Sequence, residues 1–258
     1  MNQANKFASY PSLRDRVVLV TGGGSGIGAS IVELFALQGA RVAFLEIAED
    51  AAKQVVESLS GKCVHAPVFV HCDLTDIVRL RAAVAEVESR LGTVQVLVNN
   101  AANDDRHRMA DVTPEYWDNR MNVNLRHQFF AIQAVAPRMI ETGAGSIINM
   151  SSISWMIATT GASAYVSAKA AIVGMTRTMA RELGPAGIRV NCVLPGAINT
   201  ERQIRLWMTP EYSAEILGRQ CLKRHIMPEE VARLVLFLAA DDSSAITNQG
   251  YVIDAGWV

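Results

Sequence analysis

Short apolar runs alternate with stretches of helical periodicity along almost the whole chain. Val17–Val20, Arg41–Leu45, Pro67–Cys72, Val94–Val98, Ser146–Met150, Ile188–Val193 and Gly250–Ile253 are rich in β-branched residues and show little polar alternation. That is the pattern of strands covered on both faces. Between them, apolar positions recur three and four apart, as at Ile27, Ile31, Leu34 and Phe35, or at Ile77, Leu80, Val84 and Val87. Such spacing predicts amphipathic helices over Glu49–Ser60 and from near Thr75 to about Leu91. Thr113-Pro114-Glu115 is a helix start, with threonine as cap and proline in the first turn. That helix is expected to reach about Glu141, with Pro137 interrupting it or marking its last turns. A helix carrying Tyr165–Arg177 stops at Gly184-Pro185, and Pro228 opens another that reaches Leu238. Strand–helix alternation throughout predicts an α/β fold, a doubly wound parallel sheet of about seven strands with helices on both faces. One domain is expected over 1–258, with residues 1–15 as a polar extension. Residues 201–227, containing Trp207 and Tyr212, read as a mobile insert able to form a small substrate lid. No internal repeat or low-complexity linker is visible.

Composition narrows the partners. The 258 residues, 50% hydrophobic and 19% charged, suffice for one large core. A net charge of −1 offers no attraction to nucleic acid or acidic lipid, so a small-molecule partner is expected. No apolar run reaches the roughly 18–20 residues needed to span a membrane, and Met1–Asp15 lacks the basic and apolar regions of a signal peptide. Cys63, Cys72, Cys192 and Cys221 form no C-x-x-C pair. Buried reduced thiols and a cytoplasmic location are the expectation. The five histidines show no metal-ligand spacing, so no metal is expected.

Candidate chemistry is concentrated at strand ends. Thr21-Gly-Gly-Gly-Ser-Gly-Ile-Gly28 lies between the first strand and the first helix. Glycines there permit positive φ and let backbone N–H groups and the helix start approach a pyrophosphate. Glu46 closes the second strand, where a carboxylate can accept hydrogen bonds from ribose hydroxyls and repel a 2′-phosphate. Tyr165 and Lys169 stand four apart, about 40° apart around a helix axis. A phenol with a pKa near 10 is a poor base at neutral pH. An ammonium beside it favours the phenolate, and a drop of about 3 pH units takes roughly 4 kcal/mol. Taken alone this spacing is ordinary on exposed helices; in a ligand site it builds a general acid/base for an alcohol. Asn103-Asp-Asp-Arg-His-Arg108 leaves the end of a central strand. It is either a solvated loop or, through Asn103 and Arg106, a set of polyol contacts. Trp155 is either a pocket wall or plain core packing.

Together, Thr21–Gly28, Asn99-Asn-Ala-Ala102, Ser152 and Tyr165-x-x-x-Lys169 resemble the short-chain dehydrogenase/reductase family, from about Arg16 to the C-terminus. The resemblance implies a Rossmann-type fold and a catalytic set of Asn124, Ser152, Tyr165 and Lys169. In that set Tyr165 moves the proton, Lys169 lowers its pKa and grips the ribose, and Ser152 orients the substrate oxygen, with Ser151 as its close competitor. Asn124 helps hold a relay water; a buried mid-helix asparagine is costly unless paired. The resemblance also implies cofactor contacts from Gly22, Ser25, Gly26, Ile27 and Gly28, and from Glu46 on the ribose. Asp73 and Leu74 lie near the adenine, Asp73 also being a candidate helix cap. Asn100, Ala101 and Ala102 pass beside the cofactor, and Pro195, Gly196, Ile198 and Thr200 cup the nicotinamide. Members using NADP often carry a basic residue where this chain has Ser25, so Ser25 and Glu46 favour NAD. Ala102 and Ala255 depart from the usual Asn-Asn-Ala-Gly and Asp-Gly-Gly patterns.

Within the family, Asn103–His107, Ser152–Trp155, Gln220–Lys223 and Ile253–Trp257 look like the sugar 1-dehydrogenase branch. This implies oxidation of an aldose at C1 to an aldonolactone, with Asn103, Arg106, Ser152, Ser154, Trp155 and Tyr165 around the sugar. A 3-oxoacyl or other ketone reductase is the alternative enzyme, although the NADP preference and basic carrier-docking surface expected of one are not visible. A non-catalytic NAD-binding regulatory protein is the alternative of another class, and the complete catalytic set argues against it. Family members are usually tetramers, so a homo-oligomer is expected.

Overall fold

The computed structural model describes residues 7–258. Its strands are β1 (Val17–Thr21), β2 (Arg41–Glu46), β3 (Val68–His71), β4 (Val96–Asn99), β5 (Gly145–Met150), β6 (Ile188–Pro195) and β7 (Gly250–Ile253). They form one sheet in the order β3-β2-β1-β4-β5-β6-β7, every pairing parallel. Helices α1 (Gly26–Leu37), α2 (Glu49–Ser58), α3 (Ile77–Leu91), α4 (Pro114–Met121), α5 (His127–Thr142) and α6 (Ser163–Leu183) supply most of the crossovers. After β6 come α7 (Glu201–Leu206), α8 (Pro210–Arg219) and α9 (Pro228–Ala239). This is the Rossmann arrangement.

The apolar runs form central strands because successive side chains point to opposite faces, and both faces are covered. Val18 and Val20 join Ile31, Phe35, Val231 and Val235 in one core, under α1 and α9. Val17 and Leu19 join Leu80, Val84, Ile132 and Val135 in the other, under α3 and α5. The chain builds outward from β1 to β3, then returns to place β4 on the other side of β1. The loops after β1 and β4 therefore diverge, leaving a crevice at the carboxyl ends of the strands where ligands bind in such sheets.

Several expectations change. Residues 1–6 of the extension lie outside the described residues. Leu13 is fully buried in the core beside α1, and the Tyr10 N–H donates to Gln38 Oε1 at 2.8 Å, so this part of the extension packs onto the body. Pro137 lies in the last turns of α5, the second of its two expected places. The discontinuity falls earlier, at a π-helical turn over Asn122–Arg126. Asp76, not Asp73, caps α3, accepting from the N–H groups of Val78 and Arg79. Asp73 instead bonds the Thr75 N–H and hydroxyl, because the helix begins at Ile77. The 201–227 insert is folded: Thr200 and Thr209 cap α7 and α8, and Ile216 is fully buried. All four cysteines are free, but only Cys72 and Cys192 are buried; Cys221 is exposed. Among the described residues no helix is long and apolar enough to cross a membrane.

Candidate active site

Two cavities open at the carboxyl ends of the strands, sharing Ile27, Asn100, Ala102, Thr200 and Arg202 as common wall. The larger, about 670 Å³, lies over the glycine loop. Gly22 sits at φ +69°, a conformation that favours glycine. A Cβ on Gly28 would lie 1.8 Å from the Gly22 carbonyl oxygen, so the loop must be bare where it turns into α1. Asn100 Nδ2 donates to the carbonyls of Thr21 and Gly22, tying the loop to the end of β4. Thr21 Oγ1 accepts from the Asn100 and Ala101 N–H groups. The expected residues Gly22, Ser25, Gly26, Ile27 and Gly28 all line this cavity, as do Glu46, Asp73, Leu74, Asn100, Ala101 and Ala102. Glu46 is fixed by three backbone N–H groups: Gly24 on one oxygen, Ile47 and Ala48 on the other. A bare loop at a helix start, with an anchored carboxylate at the neighbouring strand end, fits a dinucleotide.

The smaller cavity, about 230 Å³, adjoins it over β5 and β6. Tyr165 and Lys169 enter from the first turns of α6, with Ser151, Ser152 and Ser154 from the segment after β5. The Ser151 hydroxyl donates to the Lys169 carbonyl at 2.6 Å, which uses its proton inside the fold. Ser152 is the serine whose hydroxyl acts on the Tyr165 phenol, lowering its pKa against the effect of burial. Pro195, Gly196, Ile198 and Thr200 line this cavity, and Thr200 lines the larger one as well.

The electrostatics differ from the simple pair. Lys169 is 2% exposed and donates to the Met150 carbonyl at 2.8 Å. Its ammonium stands 5.4 Å from the centroid of the Tyr165 ring. Burial lowers its pKa to about 8, partly opposed by Cys192 and Asp104. Burial also pushes the Tyr165 phenol above its ordinary value, and the Asp104 carboxylate adds to the rise; the Ser152 hydroxyl and Arg106 pull the other way. With these groups alone, Tyr165 keeps its proton at neutral pH.

Asn124 lies within the π turn and is fully buried. A π turn frees a carbonyl from the regular ladder. Asn124 Nδ2 donates to the Arg120 carbonyl, and its Oδ1 accepts from the Asn103 N–H at 2.8 Å. Asn124 therefore fixes the start of the loop that follows β4.

That loop distributes its side chains differently from the alternation expected. Arg106 reaches the smaller cavity, lying 5.3 Å from the centroid of the Trp207 ring. Asn103 lines the cofactor groove instead, its Oδ1 accepting from the Asp105 N–H and Arg202. Asp104, which sequence reasoning passed over, lines the smaller cavity together with Arg202, Gln203 and Tyr212 of the insert. Ser154 lines it too, and its buried hydroxyl has no partner within the protein. Trp155 lines neither cavity and is 37% exposed, so it forms neither a pocket wall nor core. It follows Ser154 on a short 3₁₀ turn, which sends the two side chains in different directions.

A family model described as enoyl-(acyl carrier protein) reductase matches residues 22–258. D-xylose 1-dehydrogenase of Caulobacter vibrioides (strain NA1000 / CB15N) is 53% identical over 250 residues, covering 97% of this chain and 98% of that protein. The chain belongs to the short-chain dehydrogenase/reductase family. The probable galactose dehydrogenase GalD of Rhizobium meliloti (strain 1021) is 51% identical over 249 residues, covering 96% and 97%. Among solved structures, a 3-oxoacyl-[acyl-carrier protein] reductase with bound NAD from Brucella melitensis superposes with a TM-score of 0.88. It shares 32% identity and covers 96% of this chain and 94% of its own. This short-chain dehydrogenase/reductase is an oxidoreductase, of a family that works with NAD or NADP.

Asp104, Arg202 and Gln203 carry no sequence signal of their own. Arg202 and Asp104 meet only through tertiary structure, and Asn-Asp-Asp-Arg-His-Arg has no period that says which side chains turn inward. The one available hint was two adjacent carboxylates leaving a central strand.

Proposed function

We propose that this enzyme oxidises an aldose at C1 to the aldonolactone with NAD as hydride acceptor. The observation that carries this reading is the set of polar groups Asp104, Arg106, Ser154 and Gln203 that line, together with Tyr165, a cavity of only about 230 Å³. That volume falls below the roughly 300–1,000 Å³ of drug-sized sites. It suits one hydroxylated ring rather than a long acyl chain. The similarity to D-xylose 1-dehydrogenase and to the galactose dehydrogenase supports the same substrate class.

When bound, oxidised NAD accepts the hydride that leaves C1. Gly22 to Gly28 and Glu46 would hold its adenosine and diphosphate portion. Ser152 and Tyr165 hold the anomeric hydroxyl, and the Tyr165 oxygen takes its proton as the C1–H bond breaks. Loss of that proton and hydride turns C1–OH into the lactone carbonyl. Lys169 and the positive charge that an oxidised nicotinamide would bring both favour the phenolate form, which the protein's groups alone do not maintain at neutral pH. Asn124 supports the relay by which the proton leaves. The enzyme is expected to assemble as a homo-oligomer.

The test is NADH formation from a panel of aldopentoses, aldohexoses and 6-deoxysugars with NAD and NADP. A response to one or two aldoses with NAD is the expected result. Silence across the sugars, with turnover of a secondary alcohol or an oxoacyl thioester, would overturn the reading.

Cofactor choice is expected to rest on Glu46. Its anchored carboxylate would meet a 2′-phosphate as a like charge, a juxtaposition worth several kcal/mol in an interface. Replacing Glu46 with Ser should raise the NADP-to-NAD ratio of kcat/KM by about 10- to 100-fold. An unchanged ratio would remove Glu46 from the ribose.

A further inference from the structure

Asp104 and Asp105 leave β4 side by side, yet their carboxylates have different surroundings. Asp105 joins a chain of ion pairs: Arg120 Nη1 at 3.1 Å on one oxygen, Arg202 Nη2 at 2.7 Å on the other. It lines neither cavity. Asp104 lines the cavity that holds Tyr165, and its side chain is 19% exposed. Arg202 Nε donates to its Oδ1 at 3.2 Å, and Gln203 Nε2 to its Oδ2 at 2.6 Å. Both donors come from α7. Each oxygen of a carboxylate can accept about two hydrogen bonds, so Asp104 retains acceptor capacity on both oxygens.

A carboxylate is costly in a small cavity unless it is compensated. Arg202 and Gln203 compensate this one in part and fix its direction. Around it the wall supplies donors or hydroxyls, namely Arg106, Gln203 and Ser154. The remaining lone pairs of Asp104 call for a neutral donor from the ligand, and a second hydroxyl is the group that an aldose offers. A simple ketone or an acyl thioester has none to give, and a substrate carboxylate would be repelled.

Resting on the aldose reading above, we propose that Asp104 is the specificity-determining residue that accepts a hydrogen bond from a substrate hydroxyl other than the one oxidised, with Arg202 and Gln203 holding it in place from α7. Helix α7 then acts on selectivity through Asp104. The Arg202–Asp105–Arg120 chain continues from α7 to α4, whose Arg120 carbonyl is bonded by Asn124. The proximity of Asp104 to the reaction centre is consistent with its raising of the Tyr165 proton affinity.

The experiment compares the preferred aldose with its monodeoxy analogues, using wild type, Asp104→Asn, Asp104→Ala and Arg202→Ala. NADH binding, followed by fluorescence, establishes that each variant is folded and loaded. For wild type, one deoxy analogue should lose about 10- to 100-fold in kcat/KM, the range for a hydrogen bond to a charged acceptor. In Asp104→Ala that penalty should fall to less than threefold, while penalties at the other positions persist. Asp104→Asn, which keeps an acceptor oxygen without the charge, should lie between. Arg202→Ala, which removes one of the two donors that hold Asp104, should lower turnover of every sugar and shrink the position-specific penalty.

If Asp104→Ala slows the parent sugar and all its deoxy analogues by the same factor, Asp104 acts only through α7 and the proposal is overturned. If both Asp104 variants fail to bind NADH, the penalty surviving in wild type but vanishing in a Gln203→Ala variant still supports it, and a penalty unchanged there overturns it. A wild-type enzyme that oxidises no aldose overturns the proposed function first, and this inference with it. One that oxidises aldoses but shows no position-specific penalty overturns this inference alone.

Discussion

Replacing Tyr165 with Phe is expected to lower kcat by about 10³- to 10⁴-fold while NADH still binds, because proton transfer by a positioned side chain contributes about 10²–10⁴. The Ser152 hydroxyl, the group assigned to the reacting oxygen, also acts on the phenol, so one atom carries both the proton and part of the orientation. The ring remains in the variant, and with it the packing against Lys169, whose ammonium is 5.4 Å from the ring centroid. A large loss in kcat with an unchanged NADH dissociation constant would confirm proton transfer. Turnover near wild type would mean that another group moves the proton.

Replacing Lys169 with Met is expected to reduce activity by at least about 100-fold and, at the same time, to raise stability at neutral pH. An ammonium whose pKa has fallen from 10.5 to about 8 is held in the fold at a cost of about 3 kcal/mol. Its bond to the Met150 carbonyl returns part of that, so a net gain of about 1–3 kcal/mol is expected for the variant. The direction with pH follows from which state loses its proton first. Below about pH 8 both states are protonated and the cost is fully present. Between about 8 and 10.5 the folded state has released the proton while the unfolded chain still binds it, so stability of the wild type rises with pH. The advantage of the Met variant should therefore be largest at pH 7 and shrink toward pH 10. Denaturant titrations of both proteins at the two pH values measure it; a variant less stable at pH 7 would show that Lys169 is held without strain.

The framework of this enzyme was legible in its sequence because it rests on short-range rules. Val17–Val20 and Ile188–Val193 could only be strands buried on both faces, and the glycines after Thr21 needed bare backbone. Tyr165 and Lys169 share a helix face by spacing alone, and both enter the smaller cavity. What escaped depends on partners distant in the chain. Asp104 became important because Arg202 and Gln203 meet it from α7, and Asn103 turned toward the groove because Asn124 holds its backbone. The true helix cap at Asp76 was hidden by a second aspartate three residues earlier. The π turn at Asn122–Arg126 left no compositional trace, whereas Pro137 marks the last turns of α5.

The order of the strands in the sheet also bears on how the chain reaches its native state. Val18 lies between Val42, which follows soon after it, and Val96, which comes much later. During synthesis β1, β2 and β3 can associate while one edge of β1 still awaits β4. At about 5–20 residues per second, that open apolar edge persists for several seconds. Parallel pairings cannot close by tight hairpins, so each new strand must first return over a helix. The central strand on which the cofactor groove depends is thus the first made, yet β2, made after it, gains both its neighbours before it does. Until β4 arrives, that unpaired edge leaves a nascent chain of this enzyme open to aggregation or to the help of a chaperone.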